Sequence, residues 1–229
     1  MSPRIPLHFE LPGSNEGMTI HFFDANAGDI VLRMVDAIVQ SRAYLSEIDG
    51  KIGDGDHGVN MAKGFSMAAD RIGPTASFSE ALATLGDVLV SEIGGSMGPL
   101  YGTMFMDMAE AAEAVIDPTV FSSMLNTGLE GVQSIGDASL GDKTLLDTLI
   151  PAINAFDASI AASASFDEAL DAMMAAAETG RDSTIDMVAK VGRASRLGER
   201  SRGVLDAGAT SCHLILVELC LGVKQRLQV

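Results

Sequence analysis

Apolar residues recur at helical spacing along most of the chain. From Asp29 to Ile48, the residues Val31, Met34, Val35, Ile38 and Leu45 fall on one face, which predicts a first helix ended by an Asp/Gly-rich loop. A second helix is expected from about His57 to Arg71, with Gly73-Pro74 as its stop. Ser77-Phe78-Ser79-Glu80 reads as a capping box, after which Phe78, Leu82, Leu85 and Leu89 form a stripe. The same start recurs at Ser165-Phe166-Asp167-Glu168. Residues 76–82 and 164–170 differ at one position, but the likeness soon fades, which favours two independent uses of a good helix start over a duplication. Pro99 suits the first turn of a helix reaching about Val115, and Asp117-Pro118 opens another to roughly Ile135. Leu145 to Phe156 reads as helical with a bend at Pro151, and Phe166 to about Lys190 as a long helix. Thr210 to Leu227 is apolar nearly all round until Lys224, as a buried helix should be. The pattern gives eight helices and no convincing strand. Short connections favour antiparallel neighbours, so the expected fold class is all-α, an up-and-down bundle or barrel of about eight antiparallel helices.

Residues 1–27 read as an irregular N-terminal extension, since Pro3, Pro6, Pro12 and Gly13 interrupt it and no long apolar core marks a secretory signal. Met18 is an alternative start. Residues 28–229 read as one domain undivided by a linker.

Composition narrows the function classes. The 229 residues are 47% hydrophobic and suffice for one sizeable core, while aromatics make up 5% and Trp is absent. Ala, Leu and the 13 Met carry the apolar surface, which favours helix over sheet. A net charge of −16 argues against nucleic acid or an anionic membrane as partner, but not against a nucleotide held through a metal and a few amides. The apolar run Leu214 to Val223 is interrupted by Glu218 and is too short to span a bilayer. Cys212 and Cys220 lie in that apolar region and read as buried free thiols, which suits a reducing cytoplasm.

Four unusual loops remain. In Asp49-Gly50-Lys51-Ile52-Gly53-Asp54-Gly55-Asp56-His57, three aspartates are spaced by glycines that let the backbone turn tightly. Carboxylates gathered on such a loop repel one another unless a cation sits among them, and hard oxygen ligands suit Mg²⁺ or Ca²⁺. The competing reading is an acidic turn that caps a helix. A helix-loop-helix calcium site needs an acidic residue at loop position twelve, where counting from Asp49 gives Asn60 and from Asp54 gives Phe65, so that site is excluded. The glycines of Gly94 to Gly102 expose amides before a helix start and can cradle phosphate, or they serve only close helix packing. No Walker A ending or dinucleotide fingerprint accompanies them. Lys143, in Gly141-Asp142-Lys143-Thr144, either reaches a phosphate or belongs to a plain helix start. Gly192 to Gly203 places Arg193, Arg196, Arg200 and Arg202 in an otherwise acidic chain, and this local reversal of charge points toward phosphate. No Ser-His-Asp or Cys-His arrangement is evident from spacing.

Together these segments resemble the nucleotide-binding L subunit of dihydroxyacetone kinase. The likeness rests on residues 52–58 (Ile-Gly-Asp-Gly-Asp-His-Gly), 98–103 (Gly-Pro-Leu-Tyr-Gly-Thr), 141–144, 192–201 and 206–211 (Asp-Ala-Gly-Ala-Thr-Ser), which occur in family order and cover most of the chain from about residue 28. The resemblance implies a barrel of eight antiparallel helices with the nucleotide, ADP or ATP, in loops at one end. It implies two Mg²⁺ held by Asp49, Asp54 and Asp56, and nucleotide contacts from His57, Asn60, Ser96, Met97, Gly136, Leu145, Arg193, Asp206 and Gly208. Met97 stands where the family often has Ser, and Arg196 where it often has Tyr. No ketose-binding domain is recognisable, so the resemblance implies a phosphotransferase subunit that acts on a ketose held by a separate K-type subunit. The phosphoryl group is then supplied either by exchanging ATP or by a phosphotransferase-system protein acting on bound ADP. A homodimer stays open. Two rivals remain: the nucleotide domain of a fatty-acid-kinase-like protein, which more often reads Asp-Gly-Asp-Thr-Gly, and a non-catalytic ADP-binding regulator.

Overall fold

A computed structural model describes residues 20–228. The tail expected over residues 1–17 lies outside them. Nine α-helices occur among the described residues: α1 (Asp29–Gln40), α2 (Arg42–Ile52), α3 (His57–Ala69), α4 (Phe78–Glu92), α5 (Met97–Glu110), α6 (Pro118–Ile135), α7 (Leu146–Ala161), α8 (Phe166–Ser183) and α9 (Ala207–Arg226). Helices α3 to α9 each pack on the next in chain order, and α1 closes the ring by packing on both α3 and α9. The fold is an all-α barrel whose wall has eight helices, with α2 set against α3 and α9.

Local signals place several helix starts. Ser77 Oγ accepts the Glu80 amide at 3.0 Å, and Glu80 accepts the Ser77 amide at 2.9 Å. Ser165 and Glu168 repeat this at the start of α8. Asp117 accepts the amides of Thr119 and Val120 ahead of Pro118. Each cap satisfies amides that the helix cannot and is worth about 1 kcal/mol.

The core is a continuous aliphatic and aromatic cluster enclosed by the wall. Phe121, Phe156 and Phe166 meet with centroids 5.4–5.9 Å apart and join α6, α7 and α8. Helices α4 and α5 approach closely because Gly86 and Gly102 face each other's backbone; a Cβ on Gly86 would lie 2.7 Å from the Gly102 carbonyl. Helix α9 is long and apolar enough to cross a membrane, but Cys212, Ile215, Leu216, Leu219, Cys220 and Val223 are all buried in the barrel. It acts as a core helix, and both thiols are free.

The structure departs from the sequence reading in four places. The first helix breaks at Ser41, although its apolar stripe at Val31, Ile38, Leu45 and Ile52 keeps phase across the break. Helix α5 ends at Glu110, and Val115–Ile116 form strand β2, which pairs antiparallel with β1 (Phe22–Phe23). Residues 20–27 are therefore ordered against the barrel rather than irregular, with Phe22 fully buried against Phe78. Helix α8 stops at Ser183, because the chain turns at Thr184–Asp186 and the Thr184 carbonyl bonds to Lys143 instead of continuing a helix.

Candidate functional site

The Asp/Gly loop joins α2 to α3. Asp49 lies in the last turn of α2, Asp54 on the loop, and Asp56 at the N-cap of α3. Gly55 has φ +79°, a left-handed turn that brings the flanking aspartates together and that few other residues adopt at low cost. One oxygen from each of Asp49, Asp54 and Asp56 lies within 4.8 Å of the others. The helix-capping reading does not account for this cluster. Asp56 makes no side-chain capping bond although it holds the cap position. The His57 amide instead bonds to Asp49 Oδ2 at 3.2 Å. Three gathered carboxylates, of which only Asp49 accepts a helix amide, fit a hard divalent cation such as Mg²⁺.

Beside them opens a cavity of about 820 Å³, wide enough for a nucleotide-sized ligand. The twelve residues that the family resemblance nominated all line it: Asp49, Asp54, Asp56, His57, Asn60, Ser96, Met97, Gly136, Leu145, Arg193, Asp206 and Gly208. They come from five chain segments that meet only because the barrel closes. Gly94, Gly95, the N-cap Ser96 and Met97, the first residue of α5, line the cavity, which puts the partial positive charge of a helix N-terminus beside it. Ile52, Leu100, Val132, Leu146 and Val191 give the cavity an apolar side.

His57 is held from behind. Its Nε2 is 2.9 Å from Ser211 Oγ, which is 2.8 Å from the Tyr101 hydroxyl, and Tyr101 donates to the Gly208 carbonyl at 3.0 Å. Burial pushes the His57 imidazole down to about 4 against the pull of Asp49, so it is neutral at pH 7. Burial also raises the Tyr101 phenol well above its usual range, so it stays a donor. Asp206 caps α9 by accepting the Ala209 amide at 2.7 Å. Burial raises its carboxyl to about 6 despite that bond and the nearby Lys143.

The arginine reading is narrowed, and of the two readings of Lys143 the one that reaches phosphate is overturned. Of the four arginines at 193–202, only Arg193 lines the cavity; its guanidinium pairs with Asp54 and lies 3.9 Å from Asp56. Arg196 is exposed and does not line the cavity, and Arg202 pairs with Glu199 and the Asp186 carbonyl. Lys143 does not reach toward a ligand, since four backbone carbonyls surround its Nζ. Sequence reasoning missed the Tyr101 and Ser211 supports of His57. Both stand in segments that it had singled out, but no local pattern links positions 110 residues apart.

The geometry agrees with three comparisons. A DAK2 domain model matches residues 51–220. The ADP-binding subunit DhaL of the PEP-dependent dihydroxyacetone kinase of Escherichia coli is 39% identical over 197 residues, which cover 84% of this chain and 94% of that subunit. The corresponding DhaL subunit of the PTS-dependent dihydroxyacetone kinase of Lactococcus lactis is 36% identical over 178 residues, covering 77% of this chain and 85% of that one. In fold, the chain superposes on the crystal structure of the C. freundii dihydroxyacetone kinase with a TM-score of 0.66 at 23% identity; the match covers 96% of this chain but only 39% of that longer one. The helical barrel thus has its counterpart among solved structures, and the chain belongs to the DAK2 domain family.

Proposed function

We propose that the chain is the nucleotide-binding subunit of a dihydroxyacetone-type kinase, which carries ADP or ATP with two Mg²⁺ and passes a phosphoryl group to a short-chain ketose on a separate K-type subunit. The observation that carries this reading is the convergence of twelve nominated residues, from widely separated segments, on one cavity beside a carboxylate cluster.

Each group has a task that its surroundings suit. Asp49, Asp54 and Asp56 would hold the metal, which offsets charge on the phosphates. Ser96 and Met97 put a helix start at the cavity, where its free amides would meet phosphate, and backbone contact there does not require a serine at position 97. Arg193 offers a planar fork to phosphate oxygens once the carboxylates no longer hold it. His57, neutral and fixed by Ser211, presents a hydrogen-bonding group without adding charge. The apolar side of the cavity, with Leu145 and Asp206 near it, suits a base.

The names of the bacterial relatives favour a phosphotransferase-driven cycle in which ADP stays bound. The partner face would be the barrel end formed by the loops around Asp54, Gly95 and Arg193, because the phosphate must meet the partner's sugar. A reducing cytoplasm suits the two free thiols.

The test is reconstitution. The isolated chain with ATP, Mg²⁺ and dihydroxyacetone should form no ketose phosphate. Activity should appear on adding a cognate K-type subunit with either ATP or a phosphorylated phosphotransferase-system protein, and the donor that works decides between the two cycles. Full activity from the isolated chain would overturn the subunit reading.

A further inference from the structure

The base of the arginine-bearing segment is tied together around one buried cation. Lys143 is 2% exposed and adopts φ +63°, a conformation costly for a residue with a side chain, which turns its ammonium inward. Its Nζ lies 2.8 Å from the Thr184 carbonyl, 3.2 Å from Met187, 2.6 Å from Ser201 and 2.6 Å from Val204. An ammonium has three protons, so four acceptors leave none for a ligand. Around this hub the strands of the segment are stitched to each other: Gly203 N donates to the Ile185 carbonyl, and Ala189 N to Ser201 Oγ. The segment is also stitched to the loop that carries Lys143, through Lys190 N to the Asp142 carbonyl and Lys190 Nζ to the Asp142 carboxylate. Residues 184–190 and 198–204 thus form a base, and the stretch between them presents Arg193 to the cavity.

We propose that Lys143 is a positioning residue for nucleotide binding: by holding four carbonyls of the 184–204 segment it fixes Arg193 and the Asp206 start of α9 at the cavity, without touching the nucleotide itself. A neutral, donor-free side chain would take this donor from all four carbonyls and leave only that of Thr184 with another partner, the Met187 amide, so the segment would loosen to regain water. The proposal rests on the nucleotide-binding reading, and its test separates the two.

The test combines Mg²⁺·ADP titration with backbone hydrogen exchange on Lys143→Met and Lys143→Gln. Lys143→Met should weaken ADP binding about tenfold or more, and Lys143→Gln, which retains two donors, should weaken it less. Exchange in the nucleotide-free protein should rise within 184–204 while Phe78–Glu92 stays protected. Because Lys143 acts through Arg193, Lys143→Met combined with Arg193→Ala should cost less affinity than the product of the two single effects. If the unsubstituted chain binds ADP and Lys143→Met binds it equally well, the proposal falls while the nucleotide reading stands. Multiplicative effects, exchange that rises throughout the barrel, or loss of the folded state in both Lys143 variants would make Lys143 a general stabiliser and overturn it. If the unsubstituted chain binds no ADP, the nucleotide reading fails, and this proposal with it.

Discussion

Lys143 and Arg193 stand in similar glycine-led loops of an acidic chain, and both border the same cavity. Their surroundings differ completely. Lys143 is buried and its donors are consumed by backbone carbonyls, with Asp206 as its nearby carboxylate. The Arg193 side chain is 60% exposed and, among the described residues, its ion pairs are with aspartates that a metal would claim. A cation beside a phosphate-sized cavity is therefore available to a ligand only if its existing partners are exchangeable. Backbone carbonyls buried beneath a loop are not, whereas carboxylates that gain a divalent cation are.

Asp54→Ala breaks the exchangeable side of this comparison most severely. The two remaining carboxylates would not support the metal, and Mg²⁺-dependent ADP affinity should fall by roughly 100-fold or more. The unfolding temperature of the nucleotide-free protein should hold or rise slightly, since removing one member of a like-charged cluster relieves repulsion. Unchanged ADP affinity at millimolar Mg²⁺ would remove the metal assignment.

Arg193→Lys tests whether the fork geometry matters. Charge is kept and bidentate contact is lost, so affinity should drop about tenfold while thermal stability without nucleotide stays near normal. Equal stability losses with and without ADP would instead make Arg193 a structural residue.

The remaining effect is on stability rather than affinity and concerns the other side of the comparison, through Asp206. Its folded carboxyl titrates at about 6, above an unfolded aspartate near 4, so the protonated form is favoured in the folded state. The contribution of this group to stability is fully present below about pH 4 and is lost as pH rises through about 6, an interval worth about 3 kcal/mol. An asparagine side chain mimics the protonated carboxyl, so urea unfolding of Asp206→Asn should match the parent at pH 4 and exceed its stability by up to about 3 kcal/mol at pH 7.5. A constant difference across that range would mean that Asp206 does not titrate there.

The sequence was informative wherever a signal is local. Ser77 with Glu80, Ser165 with Glu168, and Asp117 before Pro118 each announce a helix within four residues, and all three helices start there. The site residues were legible because they cluster in short motifs whose order is itself a signature. What escaped depended on distance or on the absence of a pattern. A two-residue strand such as Phe22–Phe23 has no period to read, and an apolar stripe that keeps phase past Ser41 hides the break there. Lys143 meets its carbonyl partners 41 to 61 residues further along the chain, and nothing near Lys143 foretells them. The charge reversal at 193–202 marked the right segment, but it could not say which of its arginines would face inward.

Helix α9 adds a consequence in time. It closes the ring on α1 through Arg33–Glu218 and Asp29–Arg226, and Gln228 bridges back to His21. It also brings Asp206, Gly208 and the Ser211 support of His57. A chain emerging from the ribosome therefore holds its three aspartates long before it holds a closed wall or a complete cavity. Until α9 arrives, the cavity lacks the Asp206 to Gly208 part of its lining and the wall stays open, so nucleotide capture waits on α9 and reports that the barrel has closed.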